Sequence, residues 1–254
     1  MSEQMSSGSA GIENAKYHVD LLLIAALRQE LGCLLTGSVL PSPPVGLYRI
    51  AGTPENYFAA ICGVGKKKVR QHLRQLLRHI SPRRVIIAGW AGLLQDTASC
   101  GDIVLVNRCC HWKDTEDRSL VPDKTLTASI EATLTAEGVS FQSGAMVTAD
   151  RMVDQSLMRK HLAEKYLSLC VDMETFYLAS ILSEQRIPFA VVRVVSDTAD
   201  ERIGLDIERL PRSTIKRWCY LLIRPRKARA FIALVTQLKA ATRNLENALN
   251  RILV

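Results

Sequence analysis

Two short stretches end apolar runs in carboxylates: Val171-Asp172-Met173-Glu174-Thr175 and Val191-Val192-Arg193-Val194-Val195-Ser196-Asp197. A carboxylate closing a buried strand is costly to desolvate unless a partner or a reaction uses it. Glu174 and Asp197 stand twenty-three residues apart, one helix and one strand in length. At neighbouring strand ends they would form the floor of a crevice. One could deliver a proton to a leaving group while the other stays ionised beside developing positive charge. That division suits cleavage of a bond that leaves an electron-poor sugar behind. Taken singly, Glu174 also reads as a helix N-terminal carboxylate and Asp197 as a capping or turn aspartate.

The elements that must carry these residues follow from apolar periodicity. Val19 to Ala25 reads as one strand buried on both faces, and Phe58 to Cys62 as another, running into the Gly63-Val64-Gly65-Lys66 loop. Val69, Leu73, Leu76, Leu77 and Ile80 then share one helical face, which Ser81-Pro82 ends. Val85 to Ala88 is read as a strand closed by a Gly89-Trp90-Ala91-Gly92 loop, and Ile103 to Val106 as the next strand. Ala128 to Glu137 reads as helix, Ala145 to Thr148 as strand, Gln155 to Tyr166 as helix and Leu167 to Met173 as strand. Glu174 to Gln185 reads as helix, and Phe189 to Val195 as strand. This alternation predicts a single α/β domain with a central, largely parallel mixed sheet flanked by helices. Ligands of such sheets sit beyond the carboxyl ends of the strands. Glu174, Asp197, the Gly63 and Gly89 loops, and Glu30 after the first strand all fall at such ends.

At 254 residues, 48% apolar and 23% charged, the chain has an ordinary globular balance. Met1 to Asn14 is rich in Ser, Gly and Glu and reads as a disordered tail within segment 1–16, not a secretion signal. No apolar run is long enough to span a bilayer. Seven cysteines without a C-x-x-C pair read as reduced thiols of a cytoplasmic protein. Cys109-Cys110-His111 is a fragment of a metal-ligand pattern with no second cluster to complete it, so no metal is expected. The net charge of +8 resides in the C-terminal extension, 208–254: eleven Lys and Arg oppose only Glu208 and Glu246. Ile215, Trp218, Cys219 and Leu222 share a helical face there, and Arg224-Pro225 breaks it. Phe231, Leu238, Leu245 and Ile252 then recur every seventh residue of a second helix. Such a tail suits either an anionic lipid surface or a neighbouring subunit, and its sparse aromatics argue against nucleic acid.

An ordered set of motifs carries a resemblance. Ala26-Leu27-Arg28-Gln29-Glu30, Gly63-Val64-Gly65-Lys66, Gly89-Trp90-Ala91-Gly92, Gly101-Asp102-Ile103-Val104, Val171-Asp172-Met173-Glu174 and Val192-Arg193-Val194-Val195-Ser196-Asp197 resemble, in order and spacing, the nucleoside phosphorylase and methylthioadenosine/S-adenosylhomocysteine nucleosidase superfamily. The likeness covers roughly residues 19 to 200 and implies a catalytic domain at 17–207. It implies that Asp197 protonates purine N7, with Ser196 orienting it. It implies that Glu174 holds the ribose hydroxyls, that Met173 packs on the sugar, and that Glu30 activates water. If phosphate replaced water as co-substrate, Arg28 and the amides of the Gly65 loop could hold it, but Ile87 stands where some phosphorylases place an arginine.

Two departures and one further likeness bear on the substrate. Trp90 replaces a small residue, and Met152 with Val153 replaces an adenine-stacking aromatic. The hopanoid-associated branch is similar in its Val-Asp-Met-Glu element, in the strand Pro188 to Val194, and in an Arg-Pro segment before a Leu/Ala/Arg-rich helix. That likeness implies removal of adenine from adenosylhopane, a nucleoside lipid, with the basic tail at a membrane surface. The alternatives are a methylthioadenosine/S-adenosylhomocysteine nucleosidase, a purine nucleoside phosphorylase, or a silent nucleoside-binding protein. The superfamily commonly forms homo-oligomers, and no bound cofactor is implied.

Overall fold

The computed structural model describes residues 17–39, 47–95, 97–113, 118–153, 155–197 and 225–254. The expected tail at 1–16, the helical face Ile215–Leu222 and the Arg224 break lie outside the described residues. In chain order the strands are β1 (Tyr17–Val19), β2 (Leu21–Ala25), β3 (Leu35–Val39), β4 (Leu47–Ile50), β5 (Tyr57–Ile61) and β6 (Ile80–Pro82). They continue with β7 (Val85–Leu93), β8 (Ile103–His111), β9 (Phe141–Thr148), β10 (Ser168–Asp172) and β11 (Phe189–Asp197). The α-helices are α1 (Arg28–Leu31), α2 (Lys66–His79), α3 (Lys124–Ala136), α4 (Ser156–Tyr166), α5 (Thr175–Glu184) and α6 (Pro225–Leu253).

The most apolar runs form the middle of one nine-stranded sheet, ordered β10-β9-β8-β11-β7-β2-β5-β4-β3. Its pairs β2–β5, β2–β7, β7–β11, β8–β9 and β9–β10 are parallel, and β8–β11, β3–β4 and β4–β5 are antiparallel. β10 also pairs antiparallel with the end of β7, Cys170 opposite Leu93, so β7, β11, β8, β9 and β10 close into a ring. Alternate residues feed opposite faces. Leu22, Ile24, Val191 and Val195 pack with α2 and α5, whereas Leu21, Leu23, Ala190 and Val192 pack with α3 and α6. The fold class is as expected, and α6 belongs to it: Ala241, Leu245, Ala248 and Leu249 are fully buried in the second layer.

Ring closure explains the largest difference from the expected elements. Gly89-Trp90-Ala91-Gly92 is not a loop; it continues β7 and pairs with β11 as far as Gly92 opposite Asp197. The glycines serve close approach instead of a turn. A Cβ on Gly89 would overlap the Arg193 guanidinium and lie 2.6 Å from Glu30 Oε1, and one on Gly92 would lie 3.2 Å from Asp197 Oδ1. β8 likewise runs past Val106 to His111 because β9 pairs with its whole length. Val19 to Ala25 is not one strand. Asp20 separates β1, which pairs with β6, from β2. The short strands β3 and β4 have no counterpart among the expected elements.

Candidate active site

The carboxyl ends of β2, β7, β10 and β11 surround a cavity of about 350 Å³. Glu30, Trp90, Met173 and Glu174 line it, and so do Met152, Val153, Ser196 and Asp197. Gly65 reaches this group through its N–H, which donates to Glu174 Oε1 at 2.8 Å. Gly65 caps α2 with φ at +87°, a backbone only glycine adopts without strain, and that conformation aims the amide at the carboxylate. Arg28 is not brought in. It is exposed on α1, its guanidinium stacked over the Tyr48 ring at 4.9 Å.

Each carboxylate has a different setting. Glu30 is held as a double acceptor, Oε2 from Leu27 N–H at 2.7 Å and Oε1 from Trp90 N–H at 3.0 Å. Burial raises its pKa above the ordinary value, against the opposing pull of Arg193. Glu174 stands at the N-cap of α5, outside the helix. Burial first, and then the nearby Asp172 charge, push it up to about 7, with the Gly65 amide and Arg193 pulling the other way. Asp172 faces the core, accepting from Thr148 Oγ1 at 2.7 Å, Thr175 N–H at 2.8 Å and Arg193 at 2.7 Å. Asp197 has two side-chain partners: Ser196 Oγ donates to its Oδ1 at 2.8 Å, and Arg159 forms an ion pair with its Oδ2.

Two arginines are therefore central that the motif reading left without a role. Arg193 is 2% exposed and sits among Glu30, Asp172 and Glu174, offsetting charge that an apolar setting would otherwise penalise heavily. Its trace in the sequence is a lone cation inside Val191 to Val195. Arg159 is buried on α4, donating from Nε to Val153 O at 2.9 Å and from Nη1 to Leu93 O at 3.1 Å. Nothing distinguishes it in sequence from the exposed cations of the same helix.

Helix α6 supplies part of the wall. Leu238 lines the cavity, and Thr242 Oγ1 accepts from Trp90 Nε1 at 3.0 Å, fixing the indole. Asp150 anchors the loop that carries Met152: Lys113 at 2.8 Å and Tyr177 hold its carboxyl well below the usual range. Cys109, Cys110 and His111 lie buried in β8, and among the described residues no group of three His, Cys, Asp or Glu could hold a metal ion. No helix among them is long and apolar enough to cross a membrane. Since Gly89 leaves no room for a side chain, Gly89→Ala should cost about 1–3 kcal/mol of stability, measurable by urea unfolding. An unchanged midpoint would contradict that packing.

Residues 40–210, well over half of the chain, match the family described as the phosphorylase superfamily. The 5′-methylthioadenosine/S-adenosylhomocysteine nucleosidase of Staphylococcus epidermidis is 24% identical over 160 residues, covering 58% of this chain and 70% of that protein. Among solved structures, futalosine hydrolase of Helicobacter pylori superimposes with a TM-score of 0.72 at 14% identity, covering 92% of this chain and 97% of that one. The Neisseria meningitidis 5′-methylthioadenosine/S-adenosylhomocysteine nucleosidase, in complex with methylthio-immucillin-A, gives 0.72 at 21% identity with coverages of 92% and 97%. At these identities the superpositions establish the shared fold.

Proposed function

The chain belongs to the phosphorylase superfamily, and on that premise we propose that it cleaves the N-glycosidic bond of a 5′-substituted adenine nucleoside, with water as the acceptor. One observation carries this reading: Glu30, Glu174 and Asp197, from three separate strand ends, line a single cavity. The transition state of such a cleavage resembles an oxocarbenium ion. Asp197, ion-paired with Arg159 in the free protein, must be protonated in the nucleoside complex; it then hands that proton to N7 of the leaving purine, and Arg159 again meets the carboxylate charge that remains. Ionised Glu174 binds the ribose hydroxyls and favours the positive sugar. Glu30, its pKa raised by burial, removes a proton from the attacking water. Met152 and Val153 pack on the base, Met173 on the sugar, and Trp90 closes one wall.

Water is favoured over phosphate because Arg28 is directed to Tyr48 and Ile87 lies buried in β7. For the substituent, we favour the lipid of adenosylhopane. An apolar wall of Trp90, Met152 and Leu238 and the basic C-terminal segment, as a peripheral membrane contact, support it. The proposed unit is a homo-oligomer, as the superfamily resemblance implies. A methylthioadenosine/S-adenosylhomocysteine nucleosidase is the second reading, favoured by the name of the Staphylococcus relative. Adenine release should be followed from 5′-methylthioadenosine, S-adenosylhomocysteine and an adenosine with a long apolar 5′ chain, with and without phosphate. Preference for the long chain without phosphate is expected. Release from none would refute the enzyme, and phosphate dependence would refute hydrolysis.

The raised pKa of Glu174 sets a pH dependence. Below about 7 its proton is retained, so the form that binds the ribose is lost as pH falls. kcat/KM, which reports the free enzyme, should rise from pH 6 to pH 8 by about tenfold per unit on its acid limb. A profile flat across that interval would contradict the assignment.

A further inference from the structure

Tyr177 has no part in the proposed reaction, yet four segments around the site meet at its side chain. It stands in the first turn of α5, three residues after Glu174, and is buried. Its backbone N–H donates to Glu174 O at 3.0 Å. Its hydroxyl donates to Asp150 Oδ1 in the loop after β9, a carboxylate that Lys113 and this bond keep ionised. A carboxylate cannot donate, so the phenolic proton is committed there. His111 Nε2, 2.8 Å away at the end of β8, therefore carries the proton of the second bond and donates to the phenolic oxygen. The Lys66 ammonium, at the start of α2, lies 5.1 Å from the centre of the Tyr177 ring, and the preceding Gly65 donates to Glu174. Loop 149–153 is tied at both ends: Ala149 N–H donates to Asp172 O at 2.8 Å, and Val153 O accepts from Arg159 Nε at 2.9 Å. Between those ties Asp150 fastens it to α5, while Arg151 rests over the Trp112 ring at 5.8 Å.

We propose that Tyr177 is a positioning residue: it locks loop 149–153, which holds the base, at a fixed distance from Glu174, which holds the ribose. Tyr177 is not among the residues that line the cavity, so it acts through Asp150 and through the turn that carries Glu174. Base and sugar are then gripped as one rigid unit, and the bond between them is held in register with Asp197. Phenylalanine at this position keeps the ring, the Lys66 contact and the edge-on packing against His111 and Phe176. It removes only the hydroxyl that joins Asp150 to His111. A role in packing alone would survive that change. The inference rests on the proposed reading that Met152 and Val153 pack on the base.

The test compares the full chain with Tyr177→Phe, Asp150→Ala and the double variant, where circular dichroism shows each folded. Tyr177→Phe should raise KM for 5′-methylthioadenosine about tenfold, the worth of one hydrogen bond to a charged group, with kcat nearly unchanged. The dissociation constant of free adenine, which meets the loop and not Glu174, should rise by the same factor. Asp150→Ala should produce the same pair of changes, and the double variant no more than Asp150→Ala alone, because both break one connection. Amide hydrogen exchange across 149–153, measured without nucleoside, should be faster in Tyr177→Phe. Unchanged exchange would overturn the proposal. So would a raised KM with adenine affinity intact, or additive effects in the double variant. If the unaltered chain binds no adenine, the reading of the base site fails, while faster exchange still establishes the connection.

Discussion

Asp197→Asn should lower kcat for adenine release by about two to four orders of magnitude, the range lost when a positioned general acid is removed. The amide has nearly the same shape, so nucleoside binding should persist. It keeps the acceptor toward Ser196 and the neighbourhood of Val153, but it has no proton acidic enough to pass to N7. The change has a second consequence. Arg159 is 3% exposed and loses the carboxylate that balances its charge, although its bonds to Val153 O and Leu93 O remain. Removing one partner of a buried pair typically costs about 3–5 kcal/mol. Lower thermal stability should therefore accompany the kinetic loss, and the rate must be measured where circular dichroism shows the variant folded. Near-normal kcat in folded protein would remove Asp197 from the mechanism.

Glu30→Gln should be comparably damaging, by about two to four orders of magnitude in kcat, with substrate affinity little changed. Both oxygens of Glu30 accept backbone N–H groups, from Leu27 and Trp90. An amide can accept at only one of these positions and turns its NH₂ toward the other donor. The site therefore loses its base and gains an unsatisfied buried donor, worth about 1–3 kcal/mol. Added phosphate should not restore the rate. Restoration by phosphate would show that Glu30 serves an acceptor other than water.

What the sequence revealed depended on how far each side chain's neighbours repeat a pattern. β2, α2, α5 and β11 were legible because continuous or periodic apolar residues reflect burial on both faces or along one stripe. The end of β7 was not, since two glycines in four residues read as a turn whereas they admit Arg193, Glu30 and Asp197 to the strand backbone. β3 and β4 are short, and the residues joining them include three prolines at 41–44. In the candidate site, Glu30, Glu174 and Asp197 stood out as carboxylates closing or following strands. Arg193 was visible as a cation in an apolar run, but its partners come from β2, β7 and β10 ends that only the folded sheet brings together. Arg159 pairs with Asp197 across thirty-eight residues, a contact no local spacing discloses. Arg28 is two residues from Glu30 in sequence, yet its guanidinium lies over Tyr48 outside the cavity lining, because helical residues two apart point in different directions.

The central claim is that this cavity breaks a glycosidic bond with water. The most direct measurement incubates the purified chain with a 5′-substituted adenosine in ¹⁸O-labelled water, free of phosphate, and analyses both products by mass spectrometry. Free adenine and a sugar carrying one ¹⁸O atom are predicted. Intact nucleoside, or adenine released only when phosphate is added and with no label in the sugar, would contradict the account.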